Sequence, residues 1–279
     1  MFTSAMQLKG WIKNKSKLTG AHPNVLLQSY MLERFLERVS LSPYRENVIL
    51  KGGFLIASMV GIGKRSTMDI DTTVKGLAIN RESLEGMLRE VIAIDVADGV
   101  SFDILDIQNI HDINEYDDFR ISLLAVHQTI RINMTIDVTT GDTIIPCEIE
   151  YHYKLMFEDR TISVMAYNLC TILAEKIETI LKRSIGNTRG RDFYDVYLLL
   201  STDRDALSKS DLRQAIRAKA VERGSIPAIE SHAKILGDIA TNPDIAKIWD
   251  GYTKRYSYAQ GISLTDILSQ IASVFEGSL

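Results

Sequence analysis

Cysteine is nearly absent: the 279 residues contain only Cys147 and Cys170. Two well-separated cysteines build neither a disulfide framework nor a zinc cluster. Cys170 lies in an apolar helical stretch and reads as a packed thiol. Long hydrophobic runs are also missing. Nothing approaches the length of a membrane span, and the opening MFTSAMQLKGWIKNKSK lacks the unbroken apolar stretch of a signal peptide. The expectation is a cytoplasmic protein with no membrane partner. Nor does one sign of charge dominate, since 32 Lys and Arg oppose 36 Asp and Glu for a net charge of −4. That balance gives no global attraction to a polynucleotide, which would have to meet a local basic patch. Histidine is sparse, and His111, His127, His152 and His232 show no mutual metal-like spacing.

What is present is enough apolar material, 46% of residues, for a sizeable core in one large domain or two ordinary ones. Apolar residues recur at helical spacing from Val25 to Val39, and Val48-Ile49-Leu50 reads as a short buried strand. Lys51-Gly52-Gly53 ends that strand and opens a helix from Phe54 to Val60. Met68 to Val74 alternates as a strand, and Arg81 to Ile94 reads as an amphipathic helix. From Val100 to Val164 the signal is mostly strand, expected as antiparallel strands added to the sheet that carries Asp69. Its clearest part is Thr129 to Val138, where Ile130, Ile132, Met134, Ile136 and Val138 share one face and Asp137 lies on the other. Beyond about Tyr167 the character turns helical. The fold class expected is α+β, with a mixed sheet and flanking helices in residues 1–165 and a helical domain in 166–279.

Chemistry concentrates in Gly52-Gly53 and in Arg65-Ser66-Thr67-Met68-Asp69-Ile70-Asp71. Two aspartates one residue apart on a strand project from the same face, while Met68 and Ile70 point the other way, into the core. Carboxylates forced together repel, and one pKa rises unless a cation sits between them. Hard oxygen ligands without neighbouring His or Cys suit Mg²⁺ or Mn²⁺. Paired glycines between strand and helix let the backbone approach phosphate, and the helix N-terminus adds partial positive charge there. Alone, Asp-x-Asp is more readily the polar face of a half-exposed strand. A third carboxylate, Asp137 on the polar side of an apolar strand, strengthens the functional reading. Three carboxylates on adjacent strands can position two metals, one easing deprotonation of an acceptor hydroxyl and both stabilising charge at an α-phosphate. Gly61-Ile62-Gly63-Lys64 lacks the spacing of a phosphate-binding P-loop.

These residues resemble the DNA polymerase β-like nucleotidyltransferase superfamily, whose signature is a Gly-Gly or Gly-Ser turn, an Asp-x-Asp pair and a distant third acid. Gly53 and Asp69 stand further apart than in that pattern, and Gly53 replaces the serine that would offer a hydroxyl to phosphate. The resemblance narrows toward the AbiEii toxins of AbiE-type toxin–antitoxin systems, with the related MenT toxins. Their first motif resembles Lys51-Gly52-Gly53 through Asp71. Their later motifs resemble Ala174-Glu175-Lys176-Ile177-Glu178 and Arg191-Asp192-Phe193-Tyr194-Asp195. The match spans residues 51–195. It implies a nucleotidyltransferase-fold sheet completed by the helical domain, a nucleoside triphosphate substrate and an RNA acceptor such as the 3′ end of tRNA. It also implies a separately encoded antitoxin that forms no stable complex.

The helical part supports this independently. Leu169, Ile172, Leu173, Ile177 and Ile180 make an apolar stripe, and Lys176 falls inside it. A lysine there snorkels to the surface or meets an anion, and a triphosphate is one such anion. Asp192 sits in the first turn of the next helix, where an acid also suits the dipole; the resemblance assigns it to orienting Lys176 or a water. Asp195 ranks lower, and Glu175 and Glu178 fall on the solvated side. Arg65 and Thr67 are candidates for phosphate contacts. From Lys176 to Arg223 eleven Lys or Arg face seven Asp or Glu, 11 − 7 = +4, a patch that could hold an RNA backbone as well as form solvated helix faces. The residues alone leave other readings open: a small-molecule or protein acceptor, or a non-catalytic nucleotide-binding regulator.

Overall fold

The computed structural model describes residues 2, 4–65, 67–110, 118–202 and 207–276, so Ser66 and His111 lie outside the described residues. Two compact units emerge, Met1–Asp142 with Ile149–Ala166, and Thr143–Glu148 with Tyr167–Leu279. The first opens with helices α1 (Ala5–Thr19) and α2 (Pro23–Leu41). Strand β1 (Val48–Lys51), helix α3 (Gly52–Val60), strand β2 (Asp69–Val74) and helix α4 (Arg81–Ile92) follow. Then come β3 (Ser101–Ile110), β4 (Asp118–His127), β5 (Ile130–Thr140), β6 (Ile149–Lys154) and β7 (Thr161–Ala166).

These strands form a 7-stranded mixed sheet in the order β3-β4-β5-β2-β1-β7-β6. The alternation expected around Asp137 holds: Met134, Ile136 and Val138 are buried, while Thr135 and Asp137 are half-buried. Burying each such aliphatic side chain contributes about 1.5–3 kcal/mol. One expectation needs correcting. β4 runs antiparallel to both β3 and β5, but β5 joins β2 in parallel. The chain reverses twice between β3 and β5, so β5 regains the direction of β3, and it runs alongside β2 in the same direction. Met68 also departs from its expected place, being 49% exposed where Ile70 is fully buried. The strand begins only at Asp69, so Met68 is not held in the pleat.

Helix α2 is buried almost throughout its middle, charged residues included. It tolerates them because each has a partner. Arg38 makes a bidentate pair with Asp98 at 2.8 and 2.9 Å and also donates to the Val100 carbonyl. Arg34 meets Glu37 and Glu158, and Arg160 returns to Glu37. Burial pushes the Glu33 carboxyl up to about 7, although it accepts from the Met156 N–H and the Tyr153 hydroxyl. Such pairs matter chiefly because breaking one strands a buried charge.

The second unit is helical: α5 (Leu169–Arg183), α6 (Gly190–Thr202), α7 (Lys209–Glu222), α8 (Ile226–Glu230), α9 (His232–Thr241), α10 (Pro243–Arg255) and α11 (Leu264–Val274). Residues 143–148 belong with it for a visible reason. Asn168, which caps α5, donates through Nδ2 to the carbonyls of Ile145 and Cys147, and the Thr171 hydroxyl also donates to Ile145. No helix among the described residues is long and apolar enough to cross a membrane.

Candidate active site

The turn between β1 and α3 sets the site. Gly52 has φ of +68°, and a Cβ there would fall 1.9 Å from Asp71 Oδ2. Only glycine fits without displacing that carboxylate. The Gly53 N–H donates to the same oxygen at 3.3 Å, so Asp71 rests against the first turn of α3, where the unpaired N–H groups and the helix dipole favour negative charge. A Cβ on Gly53 would lie 2.8 Å from the Arg65 guanidinium and 3.1 Å from Thr67 Oγ1. Arg65 is thus packed beneath the turn, buried rather than displayed at the surface. Thr67 turns its hydroxyl to Asp69 Oδ1 at 3.1 Å, and the Met68 N–H donates to that oxygen at the same distance. In this arrangement Thr67 positions an acid.

Strand register then brings distant residues into line. Lys51 stands opposite Asp71, Asp71 opposite Asp137, and Asp137 opposite Arg120. Side chains at directly paired positions share a face, so β1, β2, β5 and β4 present a row of charges reading plus, minus, minus, plus. Burial pushes the Asp71 carboxyl above its ordinary value, and the neighbouring charges of Asp69 and Asp137 raise it further, against the opposing pull of Lys51. Lys51 itself is drawn toward Thr139 Oγ1 at 2.6 Å and Asp142 Oδ2 at 2.5 Å. Asp71 is therefore a half-buried carboxyl whose neighbours are mostly acidic, a place where an added cation would be favoured.

The third acid is differently engaged. Asp137 accepts a bidentate pair from Arg120, Nε at 2.8 Å and Nη2 at 2.7 Å. With the two side chains 51% and 22% exposed, solvent screens the pair, and such contacts contribute about 1 kcal/mol or less. Among the described residues no three His, Cys, Asp or Glu side chains are gathered as a metal ion would need. The donor chemistry of Asp69 and Asp71 fits a hard cation, whereas Asp137 faces a guanidinium.

In the helical unit Lys176 Nζ lies 2.9 Å from Asp192 Oδ1 and 3.1 Å from Asp195 Oδ2. Both carboxylates are buried, and Arg189 Nε sits 3.3 Å from Asp192 Oδ2. Asp192 and Asp195 share a face of α6 one turn apart, so the lysine is clamped by two acids. Asp195, ranked low on the sequence, is a full member because the start of α6 is buried on nearly every side. Glu178 is likewise buried, not solvated: Arg223 and Ser225 bind it at 2.8 and 2.6 Å. Part of the basic excess is thereby consumed internally, since Lys219 and Arg223 pair with Glu222, Glu175 and Glu178. Arg183, Arg191 and Arg217 remain exposed.

Sequence reasoning passed over Lys51 and Arg120. The signal for Arg120 was available. His127 pairs with Ile130 across a two-residue turn, and counting back seven positions along each strand sets Arg120 opposite Asp137.

A paired-carboxylate strand set against a Gly-Gly turn is the kind of site a nucleotide-handling transferase uses, and comparison with known proteins gives the class. Residues 34–269 match the family described as "Nucleotidyl transferase AbiEii toxin, Type IV TA system". The chain belongs to that family of toxin-type nucleotidyltransferases. Comparison with curated proteins gives no match. Among solved structures the chain is similar to JHP933 from Helicobacter pylori, 13% identical with 90% of each chain covered and a TM-score of 0.48. It is also similar to an antigenic nucleotidyltransferase-like protein from Paracoccidioides brasiliensis, 12% identical over 66% of this chain and 84% of that one, with a TM-score of 0.36. Likenesses that distant do not bear on the site.

Proposed function

We propose that the protein transfers a nucleoside monophosphate from a nucleoside triphosphate to the 3′ end of an RNA, with tRNA as the acceptor, and so blocks translation. The observation that carries this reading is the half-buried Asp71 carboxyl, seated against the Gly52–Gly53 turn on the strand it shares with Asp69 and driven up by partial burial and by its acidic neighbour. A binding module gains nothing from pressing two acids together. Asp69 and Asp71, with Asp137, would hold Mg²⁺ or Mn²⁺, which when bound would neutralise charge at the α-phosphate and favour loss of the acceptor's proton. The N–H groups at the start of α3 favour phosphate, while Gly52 makes room for Asp71 and Gly53 for Arg65. Arg65 and Thr67 brace the turn and Asp69 from beneath.

Lys176 steadies the triphosphate as a point charge, and Asp192 and Asp195 set where its ammonium points. The acceptor hydroxyl oxygen forms a bond to the α-phosphorus. The bond to the bridging oxygen of the β-phosphate breaks, pyrophosphate leaves with that electron pair, and the hydroxyl proton passes to solvent. The exposed Arg183, Arg191 and Arg217 support RNA over an uncharged acceptor. A separately encoded antitoxin would neutralise this activity in the cytoplasm without a stable complex.

Expression in a bacterial host tests the reading in the cell. Growth stops with the wild-type chain and continues with Asp69→Ala or Lys176→Ala at equal protein levels. Arrest that persists with Asp69→Ala refutes it.

A further inference from the structure

The charge row across the sheet contains one contact that the transfer reaction does not call for. Arg120 closes on Asp137 with both prongs, at 2.8 and 2.7 Å, and so occupies the carboxylate proposed as the third cation ligand. The bidentate pair of Arg38 with Asp98 differs in kind: its side chains are 3% and 1% exposed, a structural lock whose opening would strand two buried charges. Arg120 is half in water. Its guanidinium can swing into solvent and leave nothing desolvated behind.

Electrostatics supplies the trigger. Asp137 lies directly opposite Asp71 in the parallel ladder, so in the absence of a cation the two carboxylates repel and Arg120 relieves the strain. The nearby carboxylates of Asp69 and Asp71 also favour the guanidinium where it lies. Placing two positive charges between Asp69 and Asp71 reverses both effects at once. It attracts Asp137 and repels Arg120.

We propose that Arg120 is a place-holder cation: it and the divalent metal compete for Asp137, and metal binding displaces the guanidinium from that carboxylate. Arg120 is then a positioning residue that keeps Asp137 aligned with the acidic pair until metal arrives. The inference rests on the proposed cation site at Asp69 and Asp71, and its test separates the two claims.

The purified full chain is titrated with Mn²⁺ in the absence of nucleotide, and free Mn²⁺ is followed by its paramagnetic resonance signal. Arg120→Gln tightens Mn²⁺ binding about five-fold, the factor expected for removing a screened ion pair. Arg120→Lys, which keeps the charge and loses the fork, falls between. Asp137→Asn weakens binding, and in that background Arg120→Gln has no further effect. Thermal unfolding of each variant confirms that the fold is retained. Unchanged or weaker binding with Arg120→Gln overturns the place-holder, as does full additivity with Asp137→Asn. Asp69→Ala provides the separation. If it abolishes Mn²⁺ binding while Arg120→Gln does nothing, the cation site stands and only the place-holder falls. If it leaves Mn²⁺ binding intact, or the wild type binds none, both claims fall.

Discussion

Asp71→Asn abolishes nucleotidyl transfer, by roughly 10³-fold or more, yet leaves the protein as stable as the wild type or more so. The two effects have one cause. Asp71 is half-buried beside Asp69 and opposite Asp137, and its carboxyl sits above its ordinary value because partial burial and those charges disfavour ionisation. An acid whose folded pKa is raised stabilises the fold fully below its unfolded pKa and loses that contribution as pH rises through the folded value. Above that folded value the ionised carboxylate is therefore a net burden on the fold. Asparagine has nearly the same shape, and its amide oxygen can still accept from the Gly53 N–H. It removes the charge, and with it both the repulsion and the means to hold a cation. Thermal unfolding across pH checks the stability half: the variant loses the part of the wild type's pH dependence that Asp71 contributes. A variant that unfolds at markedly lower temperature than wild type would show that Asp71 supports the fold as an anion, contrary to this account.

Gly52→Ala does the opposite, harming fold and function together. The added methyl faces a backbone at φ +68° and a carboxylate oxygen 1.9 Å away. Left-handed backbone at a non-glycine residue costs about 1–3 kcal/mol, and the contact forces Asp71 out of its seat. The expected result is a lowered unfolding temperature and loss of transfer as complete as for Asp71→Asn. Gly53→Ala is the informative neighbour. Its methyl meets the end of the flexible Arg65 side chain at 2.8 Å, with no positive φ to oppose it. Unfolding temperatures should therefore rank wild type, then Gly53→Ala, then Gly52→Ala, and equal losses would remove the special role of Gly52.

The elements whose signal is local were legible in the sequence. The Gly-Gly turn, the Asp-x-Asp strand and the alternating strand through Asp137 each declare themselves within a few residues, and the family match over residues 34–269 agrees with the resemblance those motifs carry. What sequence reading missed depends on register or on distant cover. The parallel pairing of β2 with β5 follows from how the intervening chain reverses, which no short window reveals. Arg120 is opposite Asp137 only once the two-residue turn between β4 and β5 is recognised. Glu178 looked solvated on the helical wheel of α5, because the wheel cannot know that Arg223 and Ser225 pack over that face. Asp195 was undervalued for the same reason, since it lies off the apolar stripe and is buried by other helices. Met68 failed in the other direction, because its strand starts one residue later than alternation suggested.

The central claim is that the Asp69–Asp71 pair transfers nucleotides to RNA, and one experiment addresses it without intermediaries. Purified protein is incubated with total bacterial tRNA, Mg²⁺ and each α-labelled nucleoside triphosphate in turn, with Asp69→Ala beside the wild type. The account predicts label on tRNA with the wild type alone, with the preferred base read from the same gel. Pyrophosphate released with some other acceptor would keep the active site and discard RNA. Label transferred equally by Asp69→Ala, or no transfer and no pyrophosphate from any acceptor, would contradict the account.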